Sequence, residues 1–210
     1  MALEFVSLRL GIFCLPGLLL GLALAGCDRQ KAADPQGEAP GAGNAAANAG
    51  ANAAAPAEAA PTGRLDRSHQ GTRAPDIVFE DGEGRPTRLS AFRGRPVLVN
   101  LWATWCGPCV VEMPSLDALA AREEGNVAVI AISQDMNGRQ AVTDFFRARG
   151  FRTLQPYLDG ENRLMTALGI ETLPTTILYN GEGEEVWRMT GRSEWQGERA
   201  ARLILEADAG

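Results

Sequence analysis

The chain has 210 residues, 45% of them apolar and 22% charged, which fits a globular protein with room for about one domain. A formal charge of −6 leaves no basic surplus to neutralise phosphates, and this disfavours a nucleic-acid partner. Four cysteines are too few for a disulfide-rich scaffold, and one histidine is too few for a His-based metal site, so no bound metal is expected.

Composition divides the chain into three segments. Leu10 to Ala25 is an uncharged, mostly apolar run broken by Pro16 and three glycines. It is short for a spanning helix, which needs about 20 residues, and suits the apolar region of a secretory signal. The run ends Leu24-Ala25-Gly26-Cys27 and resembles the bacterial lipobox. That resemblance implies a lipoprotein signal peptide over 1–26 and acylation of Cys27. More than one acyl chain is needed for stable anchoring, because one chain alone holds marginally. Asp28 after the cysteine resembles a signal for retention at the inner membrane.

Residues 27–70 read as a lipid-anchored tether. Asp28 to Gly63 spans 36 residues, 15 of them alanine, with no large apolar side chain. Little burial is available there to offset ordering entropy, so disorder is expected. A flexible coil of this length reaches roughly 30–36 Å. His69, near its end, reads as a solvated residue.

Residues 71–210 alternate strand-like and helix-like segments, which predicts an α/β domain. Ile77 to Phe79 is a short strand, Asp81 to Gly84 a turn, and Arg85 to Leu89 the returning strand. Val97 to Trp102 is a buried strand leading to Cys106. Gly107 to about Glu123 is helical, with a kink expected at Pro114. Val127 to Ile132 is a second buried strand. Arg139 to Arg149 and Asn162 to Leu168 are helices. Thr175 to Tyr179 and Glu184 to Met189 flank an Asn180-Gly181-Glu182-Gly183 turn, a hairpin signal. Ser193 to about Ala207 closes the chain as a helix.

Trp105-Cys106-Gly107-Pro108-Cys109 carries the chemistry. A structural zinc needs four ligands, and the remaining cysteines are Cys14 and Cys27 near the N-terminus. Haem attachment needs a histidine after the second cysteine, where Val110 stands. An inert i, i+3 disulfide and a redox-active pair are left. A thiol at a helix N-terminus faces unpaired N–H groups and the positive end of the dipole, which favours the nucleophilic thiolate. Pro108 in the first turn costs no helical hydrogen bond. Cys106 is then the exposed attacker and Cys109, one turn deeper, the resolver. No cofactor is expected beyond this dithiol.

The stretch Val97 to Pro114, VLVNLWATWCGPCVVEMP, resembles the thioredoxin superfamily, and within it the membrane-tethered TlpA/ResA-like branch. Ala74 to Gly94 and Thr172-Leu173-Pro174-Thr175-Thr176 match further. The resemblance implies a thioredoxin fold: a central mixed sheet, helices on both faces, and an extra N-terminal β-hairpin. It makes Pro174 the cis-proline opposite the cysteines and Leu173 the residue whose backbone pairs with substrate. Trp105, Gly107 and Pro108 become contact surface. Glu112, three residues after Cys109, matches a branch-specific glutamate, expected to be partly buried and to exchange a proton with Cys109. Where cytosolic thioredoxins carry a buried aspartate, this chain has Asn100, which cannot act as a base.

The resemblance further implies a periplasmic thiol–disulfide oxidoreductase on the inner membrane that reduces protein disulfides. A membrane thiol reductase of the DsbD/CcdA type would supply electrons. Apocytochrome c cysteines or copper-site assembly proteins would be clients. Disulfide oxidant or isomerase is the same-class alternative. A peroxiredoxin-type peroxidase would need Thr-x-x-Cys, whereas Thr104-Trp105-Cys106 has a different spacing. A copper chaperone of the Sco type would need Cys-x-x-x-Cys and a distal histidine.

Overall fold

Two apolar runs set the centre of the molecule. The computed structural model describes residues 63–208; the expected signal peptide, Cys27 and the tether as far as residue 62 lie outside them. The strands are β1 Arg64–Asp66, β2 Phe79–Glu80, β3 Pro86–Thr87, β4 Val97–Trp102, β5 Ala128–Ser133, β6 Tyr157–Leu158, β7 Thr175–Tyr179 and β8 Glu185–Thr190. The helices are α1 Gly107–Arg122, α2 Arg139–Arg149, α3 Arg163–Leu168 and α4 Glu198–Leu205. All eight strands form one sheet, in the order β1-β8-β7-β4-β5-β6-β2-β3. β4 runs parallel to β5 and antiparallel to β7, so the sheet is mixed at its centre.

Every residue of β4 is buried, which requires cover on both faces. The two-residue alternation of a strand then sorts its side chains. Val97, Val99 and Leu101 join Ile130, Ile132, Ile177 and, from α3, Leu164 in one core. Leu98 and Trp102 join Met113, Leu116 and Leu119 of α1, Phe146 of α2 and Leu203 of α4 in the other. Asn100 shares the α1-facing side by the same alternation. Each fully buried aliphatic or aromatic side chain contributes about 1.5–3 kcal/mol. Trp102 stacks at a tilt on Phe145 and Phe146, with ring centroids at 5.0 and 5.8 Å.

The structure departs from the sequence-based boundaries in five places. The sheet begins before residue 71: β1 pairs with β8 from Arg64↔Thr190 to Asp66↔Arg188. A three-residue strand is too short to show periodicity, and β6 escapes notice for the same reason. β2 and β3 pair over only Phe79↔Thr87 and Glu80↔Pro86. Asp81 Oδ1 takes the N–H groups of Glu83 and Arg85 and closes the turn tightly. The chain then enters a 3₁₀ turn over Leu89–Phe92 instead of continuing as a strand, and this buries Leu89. α1, by contrast, keeps its expected bounds to within one residue, Gly107 to Arg122, with Pro114 inside it. The last helix starts at Glu198 and not near Ser193, because the Ser193 N–H is spent on Glu112 and the Trp195 N–H on Ser115.

Two carboxyl groups pin the surrounding loops. Asp117 of α1 accepts from the N–H groups of Arg152, Thr153 and Leu154. Asp159 accepts from those of Arg163 and Leu164 and so caps α3. In β8, Arg188 makes a two-pronged contact with Glu185, both bonds 2.7 Å, and donates to the Leu168 carbonyl. Both side chains are buried.

Candidate active site

β4 ends at Trp102, and four residues later the chain turns into α1. Cys106 is the N-cap of that helix and Cys109 lies in its first turn. Their sulfurs are joined, S–S 2.03 Å, with Cα atoms 5.3 Å apart. The Cys109 N–H donates to Cys106 Sγ at 3.3 Å. The first turn carries no acidic side chain, so nothing in it opposes a negative sulfur at the positive end of the helix. Cys106 is less open than the sequence reading expected: it is 7% exposed and Cys109 is fully buried. Its sulfur is bonded inward to Cys109, and both cysteines pack in the α1-side core. Gly107 and Pro108 beside it are exposed.

An open groove of about 520 Å³ runs past the disulfide. Trp105 and Cys106 line it from the loop after β4, Pro108 from the first turn of α1, Leu173 from another loop, Met165 from α3, and Gln134 from just beyond β5. Trp105 is 68% exposed although it is the largest kind of apolar side chain. Leu173 is half-buried and touches both cores. The Leu173–Pro174 bond is cis, and Pro174 is buried.

Glu112 lies deeper than expected, only 1% exposed. Asn100 Nδ2 donates to its Oε1 at 2.7 Å and the Ser193 N–H to its Oε2 at 2.9 Å. Burial raises its pKa from 4.5 to about 7, and the Ser193 and Asn100 hydrogen bonds pull the other way without prevailing. Asn100 also donates to Thr176 Oγ1 at 3.0 Å, a residue that faces it across the β4–β7 ladder. The glutamate is thus tied through one amide to the strand that follows Pro174.

Sequence reasoning missed Gln134, which lines the groove, and its neighbour Asp135, whose carboxyl group accepts from the Thr104 N–H and hydroxyl. Asp135 and Gln134 follow an apolar strand and read as ordinary loop. The one signal was position, since both directly follow the carboxyl end of the strand paired in parallel with β4.

A disulfide at a helix N-terminus, opening on a groove that Leu173 also lines, on this mixed sheet, defines a thioredoxin-fold thiol–disulfide oxidoreductase. Comparison with known proteins agrees. The Redoxin family model matches residues 69–203. The chain is 34% identical over 122 residues to the thiol-disulfide oxidoreductase ResA of Geobacillus thermodenitrificans, covering 58% of this chain and 69% of that one. It is 32% identical over 123 residues to ResA of Bacillus subtilis, covering 58% and 68%. Among solved structures, StoA of Bacillus subtilis aligns with a TM-score of 0.51 at 25% identity, over 63% of this chain and 98% of that one. The exposed lipoprotein thioredoxin Etrx1 of Streptococcus pneumoniae aligns at 0.53 and 24%, over 64% and 99%, and shares the fold. The chain belongs to the Redoxin family and, within it, to the ResA-like thiol–disulfide oxidoreductases.

Proposed function

We propose that this oxidoreductase is a reductant of protein disulfides, lipid-anchored through Cys27 on the periplasmic side of the bacterial inner membrane. The observation that carries the reading is the Cys106–Cys109 pair at the N-terminus of α1, joined by the Gly107-Pro108 dipeptide and opening on the groove. That dipeptide is the one found in thioredoxin, whose potential is about −270 mV, well below the oxidants near −120 mV.

In the forward step the Cys106 thiolate attacks one sulfur of a client disulfide. The client S–S bond breaks, a mixed disulfide forms, and the departing client thiolate takes up a proton. Cys109 then gives its proton to Glu112 and attacks Cys106 Sγ. The second client thiolate leaves, the Cys106–Cys109 bond forms, and two electrons have passed to the client. Glu112 suits this proton because its pKa of about 7 lets it hold or release one near neutral pH. Trp105, Gly107 and Pro108 form contact surface, and the backbone at Leu173, before Pro174, pairs with the client segment. No cofactor is required besides the dithiol.

The compartment is oxidising, so electrons are imported, and a membrane thiol reductase of the DsbD/CcdA type fits as donor. Apocytochrome c cysteines and copper-site assembly proteins fit as clients. The test is the reduction potential of the full chain, equilibrated in thiol–disulfide buffers. A value near −270 mV or lower supports the reductant. A value near −120 mV overturns it in favour of an oxidant. Replacing Glu112→Gln should also shift the Cys109 titration, and an unchanged titration removes Glu112 from the mechanism.

A further inference from the structure

β4 and β5 run in parallel register from Val97↔Ala128 to Trp102↔Ser133. The Gln134 N–H still reaches the Trp102 carbonyl at 2.8 Å, and there the backbone ladder stops. A side chain continues it. Asp135 Oδ2 accepts from the Thr104 N–H at 2.9 Å, and Asp135 Oδ1 from the Thr104 hydroxyl at 2.6 Å. The Ser133 hydroxyl donates to Oδ2 at 2.5 Å and accepts from the Asp135 N–H at 3.1 Å. Asp135 is 0% exposed, and among the described residues no arginine pairs with it.

Burying a carboxyl group without a cation is costly unless hydrogen bonds replace its water. Here the replacing donors come from Thr104 and Ser133, and two of the three belong to Thr104. The next two residues along the chain are Trp105, the exposed indole of the groove, and Cys106, which carries the reactive sulfur. Gln134, the chain neighbour of Asp135 on the other side, also lines the groove. One carboxyl group therefore locks the loop bearing Trp105 and Cys106 against the segment that leaves β5 and supplies Gln134.

We propose that Asp135 is a positioning residue for protein substrates: through Thr104 it holds Trp105 and Cys106 in the orientation that lets a client segment lie in the groove with its disulfide at Cys106 Sγ. It acts through Thr104 and does not touch the reacting sulfurs. The proposal rests on the reading of this groove as the client-docking face. A small disulfide needs only an accessible sulfur, whereas a protein disulfide must also dock. Loosening the loop therefore slows the two unequally, and misplacement by a fraction of an ångström is costly only where orientation is used.

The experiment uses the reduced full chain with insulin as the protein disulfide and 5,5′-dithiobis(2-nitrobenzoate) as the small one. Asp135→Ala should lower the second-order rate constant with insulin at least about tenfold and change that with the small disulfide less than about threefold. Asp135→Asn keeps the oxygen shared by the Thr104 N–H and the Ser133 hydroxyl, and the Thr104 hydroxyl can rotate to accept from the new amide, so it should restore insulin reduction to within about threefold. Thr104→Val removes only the hydroxyl bond and should give a selective loss of intermediate size. If Asp135→Ala does not fold, Thr104→Val and Asp135→Asn carry the same comparison. Equal losses on both disulfides, or wild-type rates on both in a folded variant, overturn the role. Trp105→Ala tests the groove separately. A selective insulin loss in Trp105→Ala with none in Asp135→Ala refutes Asp135 and leaves the docking face standing. A loss in neither refutes the docking face itself.

Discussion

Replacing Glu112→Gln in the oxidised protein should remove a specific pH dependence of stability. In the unfolded chain this carboxyl titrates near 4.5, and in the folded protein near 7. Between those values the folded state holds a proton that the unfolded state has released, so stability falls as pH rises through the interval. Below 4.5 the group is protonated in both states and imposes no penalty; above 7 the penalty is complete. The interval is worth about 3 kcal/mol at about 1.36 kcal/mol per pH unit. Glutamine has no proton to lose, so this slope disappears. The substitution also has a pH-independent cost, because the new amide turns an N–H₂ towards either Asn100 Nδ2 or the Ser193 N–H. Asn100 can limit that cost by rotating to present Oδ1, which has no partner in the structure. The slope and not the offset therefore carries the test. Urea unfolding with the disulfide intact, run at intervals from pH 4.5 to 8, should show the variant gaining about 3 kcal/mol on the wild type across that range. Every other titrating group is common to the two proteins and cancels in the difference. Parallel stability curves would refute the claim that burial holds a proton on Glu112.

Three further outcomes are expected. Cys109→Ser should stop the cycle at the mixed disulfide, so mass spectrometry after exposure to a protein disulfide detects a covalent adduct on Cys106; Cys106→Ser should give none. Trp102→Ala should cost about 3–5 kcal/mol in denaturant unfolding, because it empties a fully buried site against Phe145 and Phe146. A cost below about 1 kcal/mol would mean that the rings close over the gap. Arg188→Met should cost about 3–5 kcal/mol by leaving Glu185 buried and unpaired, and adding Glu185→Leu should recover most of the loss. An additive double variant would show that the pair is not coupled.

The sequence specified those parts of the molecule whose determinants are local. Val97 to Trp102 is apolar at every position except Asn100, which is the mark of a strand covered on both faces, and it lies in the centre of the sheet. Arg139 to Arg149 repeats apolar residues at helical spacing, and the helix has those bounds. Cys106 and Cys109 were legible as a pair because cysteine chemistry, a helix start and Pro108 coincide within four residues. The spacing of three from Cys109 to Glu112 was enough to put the glutamate on roughly the same face of α1 as Cys109.

Tertiary structure decided everything that depends on what meets across the sheet. Whether Glu112 is solvated or buried depends on Asn100 of β4 and Ser193 of the final loop reaching it, 12 and 81 residues away along the chain. Its elevated pKa follows from that enclosure and from no property of its neighbours in sequence. Cys106 was expected to be exposed because a helix N-terminus usually is; packing and the bond to Cys109 close it down. Asp135 drew no notice because an aspartate after a strand resembles a turn residue until Thr104, 31 positions earlier, is seen to donate to it twice. Strand β1 was read as tether since three residues form a strand only when β8 offers an edge to pair with. Periodicity and motif report what a segment does alone. The protonation of Glu112, the closure of Cys106 and the anchoring of its loop are properties of contacts between segments, and only the fold brings those together.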